Sequence, residues 1–171
     1  MEKKRSFVIL VPSRGRADTA TTQNIFPDAI FYVPKGEYQY YKKNMPNTNI
    51  VIADIENETI GKKRQFMLDQ YPVGQHIVFA DDDITGYVRK IDDKNVEPVP
   101  IEEMLDIFES WFDNLEKSGV SMWGMCGMYD VNPMFLTDKI SRLAPISGMT
   151  YGIIKREDLQ FTSEIGTKED F

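Results

Sequence analysis

Three consecutive carboxylates, Asp81-Asp82-Asp83, follow directly on the apolar run His76-Ile77-Val78-Phe79-Ala80 and precede Ile84. Packed side by side they repel one another, and a hard divalent cation such as Mg²⁺ or Mn²⁺ relieves that repulsion through carboxylate oxygens. Asp81 and Asp83, spaced i and i+2 on an extended chain, can face one metal from the same side. The competing reading is a solvated turn, because Asp favours turns for its own side-chain to backbone hydrogen bonding. Position favours chemistry. A short β-branched apolar run bounded by polar residues reads as a buried strand of a parallel sheet, and open α/β sheets bind ligands at the carboxyl ends of such strands.

A second constellation, Pro12-Ser13-Arg14-Gly15-Arg16, follows the apolar run Phe7 to Val11. Pro12 and Gly15 permit a tight turn with close backbone approach, and the flanking guanidinium groups can pair with phosphate or stack on a flat base. The alternative is a surface turn with solvated arginines. A third, Gly61-Lys62-Lys63-Arg64-Gln65, opens a helix capped by Thr59. Cations at a helix N-terminus oppose the macrodipole, so the arrangement calls for an anion or carboxylate partner. For Lys62 and Lys63 a solvated basic face over a core stripe of Phe66 and Leu68 is the bland alternative.

The elements that must position these groups alternate between strand and helix, which predicts an α/β, largely parallel or mixed sheet flanked by helices in a single domain, 1–171. Strands are expected at Phe7 to Val11, Ile30 to Val33, Ile50 to Ala53 and Gln75 to Ala80, with helices at Ala17 to Asn24, Gly36 to Lys43 and Gly61 to Gln70. Beyond the carboxylates, Tyr87 to Ile91, Ser121 to Tyr129, Ile140 to Ile146 and Met149 to Ile154 read as further strands. Pro100 to Lys117 reads as a long amphipathic helix, with Glu102, Glu103, Asp106, Glu109, Asp113 and Glu116 interleaved among apolar residues. His76 reads as a strand-start residue, and the Tyr38, Tyr40 and Tyr41 cluster fits helix packing at least as well as base stacking.

Residues 1–75 carry eleven Lys and Arg against eight Asp and Glu, while residues 76–171 carry nine against nineteen, giving the net charge of −7. That balance argues against a protein that coats nucleic acid through a broad basic face, and suits an anionic small ligand held between cationic loops and a carboxylate-bound metal. The 171 residues can bury a core without cross-links, and Cys126, the single cysteine, cannot form an intramolecular disulfide. No run is long enough for a membrane span, and Phe7 to Val11 is too short for a signal-peptide core before Pro12. The expectation is a cytoplasmic chain.

Taken in order, the Pro-Ser-Arg-Gly-Arg loop, the Gly-Lys-Lys-Arg-Gln helix start and the strand ending in Asp-Asp-Asp resemble the nucleotide-sugar-binding half of a GT-A glycosyltransferase over about residues 6–90. The loop and the compact Asp-Asp-Asp-Ile signature look most like the TET-associated glycosyltransferases of tailed bacteriophages, a group thought to glycosylate hydroxymethylated pyrimidines in DNA. The resemblance implies a DxD motif, Asp81-x-Asp83, holding Mn²⁺ or Mg²⁺ on a donor diphosphate, with a UDP-sugar as donor. Asp83 would ligate the metal, Asp81 would touch the ribose or the metal's hydration shell, and Arg14 or Arg64 would contact uracil or phosphate. The implied donor-binding set is Pro12, Ser13, Arg14, Arg16, Gly61, Lys62, Arg64, Asp81 and Asp82, with Asp81 and Asp83 as metal ligands. A hydroxymethyl base in DNA, as acceptor, would have to be flipped or its duplex bent.

By the same resemblance residues 91–171 form the acceptor-side half, where Ser147 and Gly148 belong to an acceptor-side loop and Glu169-Asp170 to a motif whose carboxylate is the general base of inverting members. The motif falls next to Phe171, where a typical GT-A enzyme continues, which implies a truncated, minimal or partner-dependent chain. A frayed acidic tail is the alternative for Glu169 and Asp170. Two rival functions stay open on the sequence. Asp81-Asp82-Asp83-Ile84-Thr85 also fits the D-x-D-x-T signature of haloacid-dehalogenase-like phosphatases, with Asp81 and Asp83 as nucleophile and acid, although three βα units precede it here. A non-catalytic module binding a nucleotide sugar or a partner is the other.

Overall fold

The computed structural model describes residues 5–92, 95–125 and 149–161. Its frame is a six-stranded sheet in the order β3-β2-β1-β4-β8-β7, built from β1 (Phe7–Pro12), β2 (Ile30–Pro34), β3 (Asn49–Ala53), β4 (His76–Ala80), β7 (Met122–Gly124) and β8 (Thr150–Ile154). The first four strands pair in parallel, with Leu10 opposite both Ile30 and Phe79. β8 then adds antiparallel to β4, pairing Tyr151 with Phe79, and β7 pairs antiparallel with β8. The sheet is mixed, as the sequence implies.

Chain order reverses between β1 and β4: β2 and β3 build outward on one side of β1, and β4 lies on the other. The loops after β1 and β4 therefore diverge and leave a crevice at their carboxyl ends, which is where ligands bind in open α/β sheets. The Pro12–Arg16 loop, the helix start at Gly61 and the Asp81–Asp83 turn sit at that edge.

Helices cover both faces because the central strands are apolar on both sides. On one face Tyr41 and Met45, from and just after α2 (Tyr38–Asn44), and Met104, Phe108, Phe112 and Leu115 of α4 (Ile101–Ser118) close over Phe7, Val11, Phe31, Val33 and Val78. On the other, Met67 and Leu68 of α3 (Ile60–Asp69) close over Leu10, Tyr32, Ile77, Phe79 and Ile153. α4 follows the amphipathic reading, with Glu102 and Glu103 in its first turn, where acidic side chains suit the helix dipole.

Two expectations need correction. The helix expected over Ala17 to Asn24 is a single short turn, α1 (Thr22–Ile25), because the chain from Arg16 to Ala20 is spent in turns whose Thr19 and Ala20 amides both donate to the Arg16 carbonyl. A hairpin was missed: β5 (Tyr87–Lys90) pairs antiparallel with β6 (Val96–Val99), and Pro98 in so short a run conceals the second strand from pattern reading. The strand expected at Ile140 to Ile146 lies outside the described residues, as do the last four residues, Cys126 among them, of that expected at Ser121 to Tyr129, whose described part holds β7. Among the described residues, no helix is long and apolar enough to cross a membrane.

Candidate functional site

The loop after β1 is held from inside by a chain of hydroxyls. The Arg16 amide donates to Tyr41 Oη at 3.1 Å, Tyr41 Oη lies 2.7 Å from Ser13 Oγ, and Ser13 Oγ donates to Asp82 Oδ2. With the serine proton committed to the carboxylate, Tyr41 is the donor to Ser13, so the chain runs in one direction from backbone to Asp82. Tyr41 is fully buried and burial raises its pKa, which keeps its proton in place for that role. Gly15 adopts φ +69°, a left-handed conformation that favours glycine, and donates its amide to Glu37 at 2.7 Å.

The acidic turn is clamped onto the same loop by threonines. Thr22 Oγ1 donates to the Asp81 carbonyl at 2.6 Å and accepts from the Ile84 amide at 2.9 Å. Thr21 Oγ1 donates to the Ile84 carbonyl, and the Thr21 and Thr22 amides both point at the Asp82 carbonyl. The Asp81 amide donates to the Met149 carbonyl, so the entry to β8 also borders the site. The turn is thus fixed largely by the hydroxyls and amides of Thr21 and Thr22 in the first βα unit.

The three carboxylates consequently face different partners. Asp82, expected among the donor-binding residues, is turned inward: it is buried, accepts from Ser13, and pairs with Arg16 Nη1 at 2.9 Å. Asp83 is exposed and pairs with the same Arg16 nitrogen at 3.0 Å. Asp81 is half-buried and lies 3.6 Å from Arg64 Nη2. Its carboxyl is pushed up to about 6, chiefly by burial, with Asp83 and Asp82 adding to the effect and Arg64 opposing it. Asp82 and Asp83 sit in a turn, so the extended i and i+2 geometry expected from the sequence is not the one adopted.

α3 supplies the opposite wall. Thr59 caps it, accepting from the Lys62 amide at 3.2 Å, as expected. Each cation of its first turn finds a separate partner, which answers the dipole mismatch. Lys62, expected at the donor, directs its ammonium to the carbonyls of Glu56 and Asn57 and lines an outer groove of about 470 Å³ with Asp54, Glu56 and Phe66. Lys63, weighed in the sequence as part of the basic helix start but left out of the donor-binding set, is the one that turns inward: it is 3% exposed, donates to the Ser13 carbonyl at 2.9 Å and pairs with Glu58 at 2.9 Å. Burial lowers its pKa, and Glu58 works against that shift. Arg64 is buried, with its guanidinium 5.4 Å from the Tyr151 ring centroid on β8, a cation–π distance. Pro12, Ser13 and Gly61 are buried, while Arg14 is largely exposed with Glu58 at 3.9 Å.

Tyr41, Thr21, Thr22 and Lys63 stand among the site residues of the structure but outside the set named from the sequence. Tyr41 and Thr22 look like core and turn residues in the sequence, and only the fold brings their hydroxyls to Ser13 and Asp81. His76 begins β4 at the other end of the strand, stacked 4.5 Å from Phe112 and 3.0 Å from Glu116, consistent with a strand-start residue. Ser147, Gly148, Glu169 and Asp170 lie outside the described residues.

An arginine loop and an acidic turn facing one another across a parallel switch point, with an antiparallel β8 closing the far side, define a GT-A-like α/β fold. The crystal structure of S. aureus TarS 1-349 shares it, with a TM-score of 0.54 at 16% identity over 96% of this chain and 52% of that one. Further matches are to TarS 1-349 in complex with UDP (TM-score 0.42, 16% identity, 73% of this chain and 38% of that one) and to S. aureus TarS (0.38, 18%, 65% and 20%). The chain spans about half, or less, of the TarS chains it matches. No curated protein sequence matches it. A family model does: residues 7–160 match that of the TET-associated glycosyltransferases, and the chain belongs to that family.

Proposed function

We propose that the chain transfers a sugar from a nucleotide-sugar donor, a UDP-sugar, to an acceptor hydroxyl, with a divalent metal held at Asp81 and Asp83. One observation carries the reading: Arg16 from the β1 loop, Arg64 from α3 and the Asp81–Asp83 turn after β4 converge at one sheet edge, in a chain of a glycosyltransferase family. Family membership also favours transfer over the phosphatase reading.

The residues present fit a hard divalent metal. Asp81 is a carboxylate short of positive charge, since burial and its acidic neighbours outweigh Arg64 in setting its proton affinity. Asp83 is exposed, and among the described residues an arginine alone contends for it. Among the described residues no group of three acidic, His or Cys side chains could close around an ion. Two carboxylates with water and donor phosphate oxygens completing the shell is the usual manner of Mg²⁺. Bound there, the metal would neutralise charge on the departing diphosphate.

The protein's own groups do the rest. With the donor bound, Arg16 and Arg64 supply positive charge where the leaving group becomes more anionic, so that the chemical step itself needs no further reorganisation. Tyr41, Ser13 and Lys63 set the β1 loop, and Thr22 sets the acidic turn, so that the two sides of the crevice keep their spacing. The acceptor proton goes to Asp170 or Glu169 in an inverting displacement, an assignment that the sequence resemblance alone supports. The acceptor is assigned to a hydroxymethylated pyrimidine in DNA on the family's name.

The test is to incubate the full chain with UDP-glucose or other UDP-sugars, Mn²⁺ and hydroxymethylcytosine-containing DNA, and to weigh the digested nucleosides. A hexose mass added to the hydroxymethyl base supports the proposal. Intact donor with unmodified DNA, across all UDP-sugars tried, counts against it and favours the non-catalytic binding module.

A further inference from the structure

We propose that Arg16 makes this site select a metal–diphosphate complex over the free divalent cation; the inference rests on the donor-site reading above. A single nitrogen, Arg16 Nη1, lies 2.9 Å from Asp82 Oδ1 and 3.0 Å from Asp83 Oδ2. The two carboxylates differ in burial, with side-chain exposures of 7% for Asp82 and 56% for Asp83. Asp82 is the anchor, because a buried carboxylate that also accepts from Ser13 loses heavily if its cation leaves. The bond to Asp83 is the exchangeable one, because exposed ion pairs contribute little. The backbone of Arg16 is tied to Tyr41, so the side chain can swing while its root stays in place.

A free cation approaching Asp83 therefore meets a guanidinium already seated on that carboxylate, and the two positive charges repel. A cation arriving on a diphosphate brings an anion with it. Arg16 can then give up Asp83 to the metal and take a phosphate oxygen, for which its planar fork is suited, while Asp82 holds it in place. No bond to Asp82 need break and no charge is left unpaired. Arg16 is thus a specificity-determining residue whose removal moves two affinities in opposite directions, which a merely structural arginine does not do.

The experiment is calorimetric titration of the full chain with Mn²⁺ alone and with UDP in saturating Mn²⁺, for the native sequence, Arg16→Gln and Asp83→Ala, with circular dichroism confirming the fold. In Arg16→Gln the affinity for Mn²⁺ alone rises about fivefold, the equivalent of one exposed ion pair released. The affinity for UDP with Mn²⁺ falls about tenfold, as expected for a lost charge-assisted bond. If Arg16→Gln does not fold, Arg16→Lys keeps a cation for Asp82 and shows the same opposed changes at smaller size. Mn²⁺ affinity that stays level or drops in the folded variant, while UDP binding remains sensitive to Asp83→Ala, overturns the inference and leaves the donor site standing. A native chain that binds UDP with Mn²⁺ no better than Asp83→Ala overturns both.

Discussion

Replacing Asp82 by alanine should unfold the site from within, whereas the same change at Asp83, one residue along, should leave the fold intact. Asp82 is buried and its side chain holds the Ser13 hydroxyl and the Arg16 guanidinium, whereas Asp83 is exposed and, among the described residues, shares only that arginine. A hydrogen bond to a charged group contributes about 1.5–3 kcal/mol, and a buried hydroxyl left without an acceptor adds a desolvation cost. Half of the Arg16 side chain is exposed, so its share is discounted, and the sum for Asp82→Ala is about 3 kcal/mol. For a chain of this length that is a fall in Tm of roughly 6–12 °C. Asp83→Ala should cost at most about 0.5 kcal/mol. Urea unfolding followed by tryptophan fluorescence, in chelator so that no metal contributes, measures both. Equal losses for the two variants, or less than about 1 kcal/mol for Asp82→Ala, would refute the division of labour drawn between these neighbours.

Thr22→Val removes the hydroxyl that donates to Asp81 and accepts from Ile84, leaving two backbone groups unpaired, so stability should fall by about 2 kcal/mol; Thr22→Ser should restore most of it in the same unfolding assay. A Cβ on Gly152 would stand 2.2 Å from the buried Trp123 ring, which is packed at 5.0 Å on Phe108 and 4.8 Å on Trp111. Gly152→Ala should therefore cost about 3 kcal/mol and change near-UV dichroism, and a neutral effect would show that the ring can move freely. In metal-free buffer the raised carboxyl of Asp81 binds its proton more tightly in the folded state, so its contribution to stability is full below about pH 4 and is lost as pH rises through about 6. Asp81→Asn should remove that slope, and an unchanged pH profile in the variant would show that the slope belongs to other groups.

Much of the fold could be read from the sequence because its signals are local. Phe7 to Pro12 and His76 to Ala80 are apolar, β-branched runs bounded by polar residues, and Thr59 before Gly61-Lys62-Lys63-Arg64 is a cap followed by a helix; each element lies within a residue or two of expectation. Val96–Val99 escaped because Pro98 suppresses the strand signal, and only its pairing with Tyr87–Lys90 makes it a strand. The position of the site was legible for the same reason: the Asp81–Asp83 turn and the Pro12–Arg16 loop each follow an apolar strand. The roles of individual residues within it were not. Asp81, Asp82 and Asp83 are identical in type, and which one turns inward is decided by Ser13, Arg16 and Thr22, residues 59 to 69 positions away in the chain. Lys62 and Lys63 are equally indistinguishable until the helix phase sends one to the Glu56 and Asn57 carbonyls and the other to the Ser13 carbonyl.

The most direct test of the central claim, a metal-assisted donor site at the mouth of β1 and β4, is calorimetric titration of UDP-glucose and other nucleotide sugars with and without Mn²⁺, repeated on Asp83→Ala. The account expects binding that requires Mn²⁺ and is lost in the variant while its stability is unchanged. Binding that is indifferent to Mn²⁺ and to Asp83→Ala, or no binding of any nucleotide sugar by the folded native chain, would contradict it.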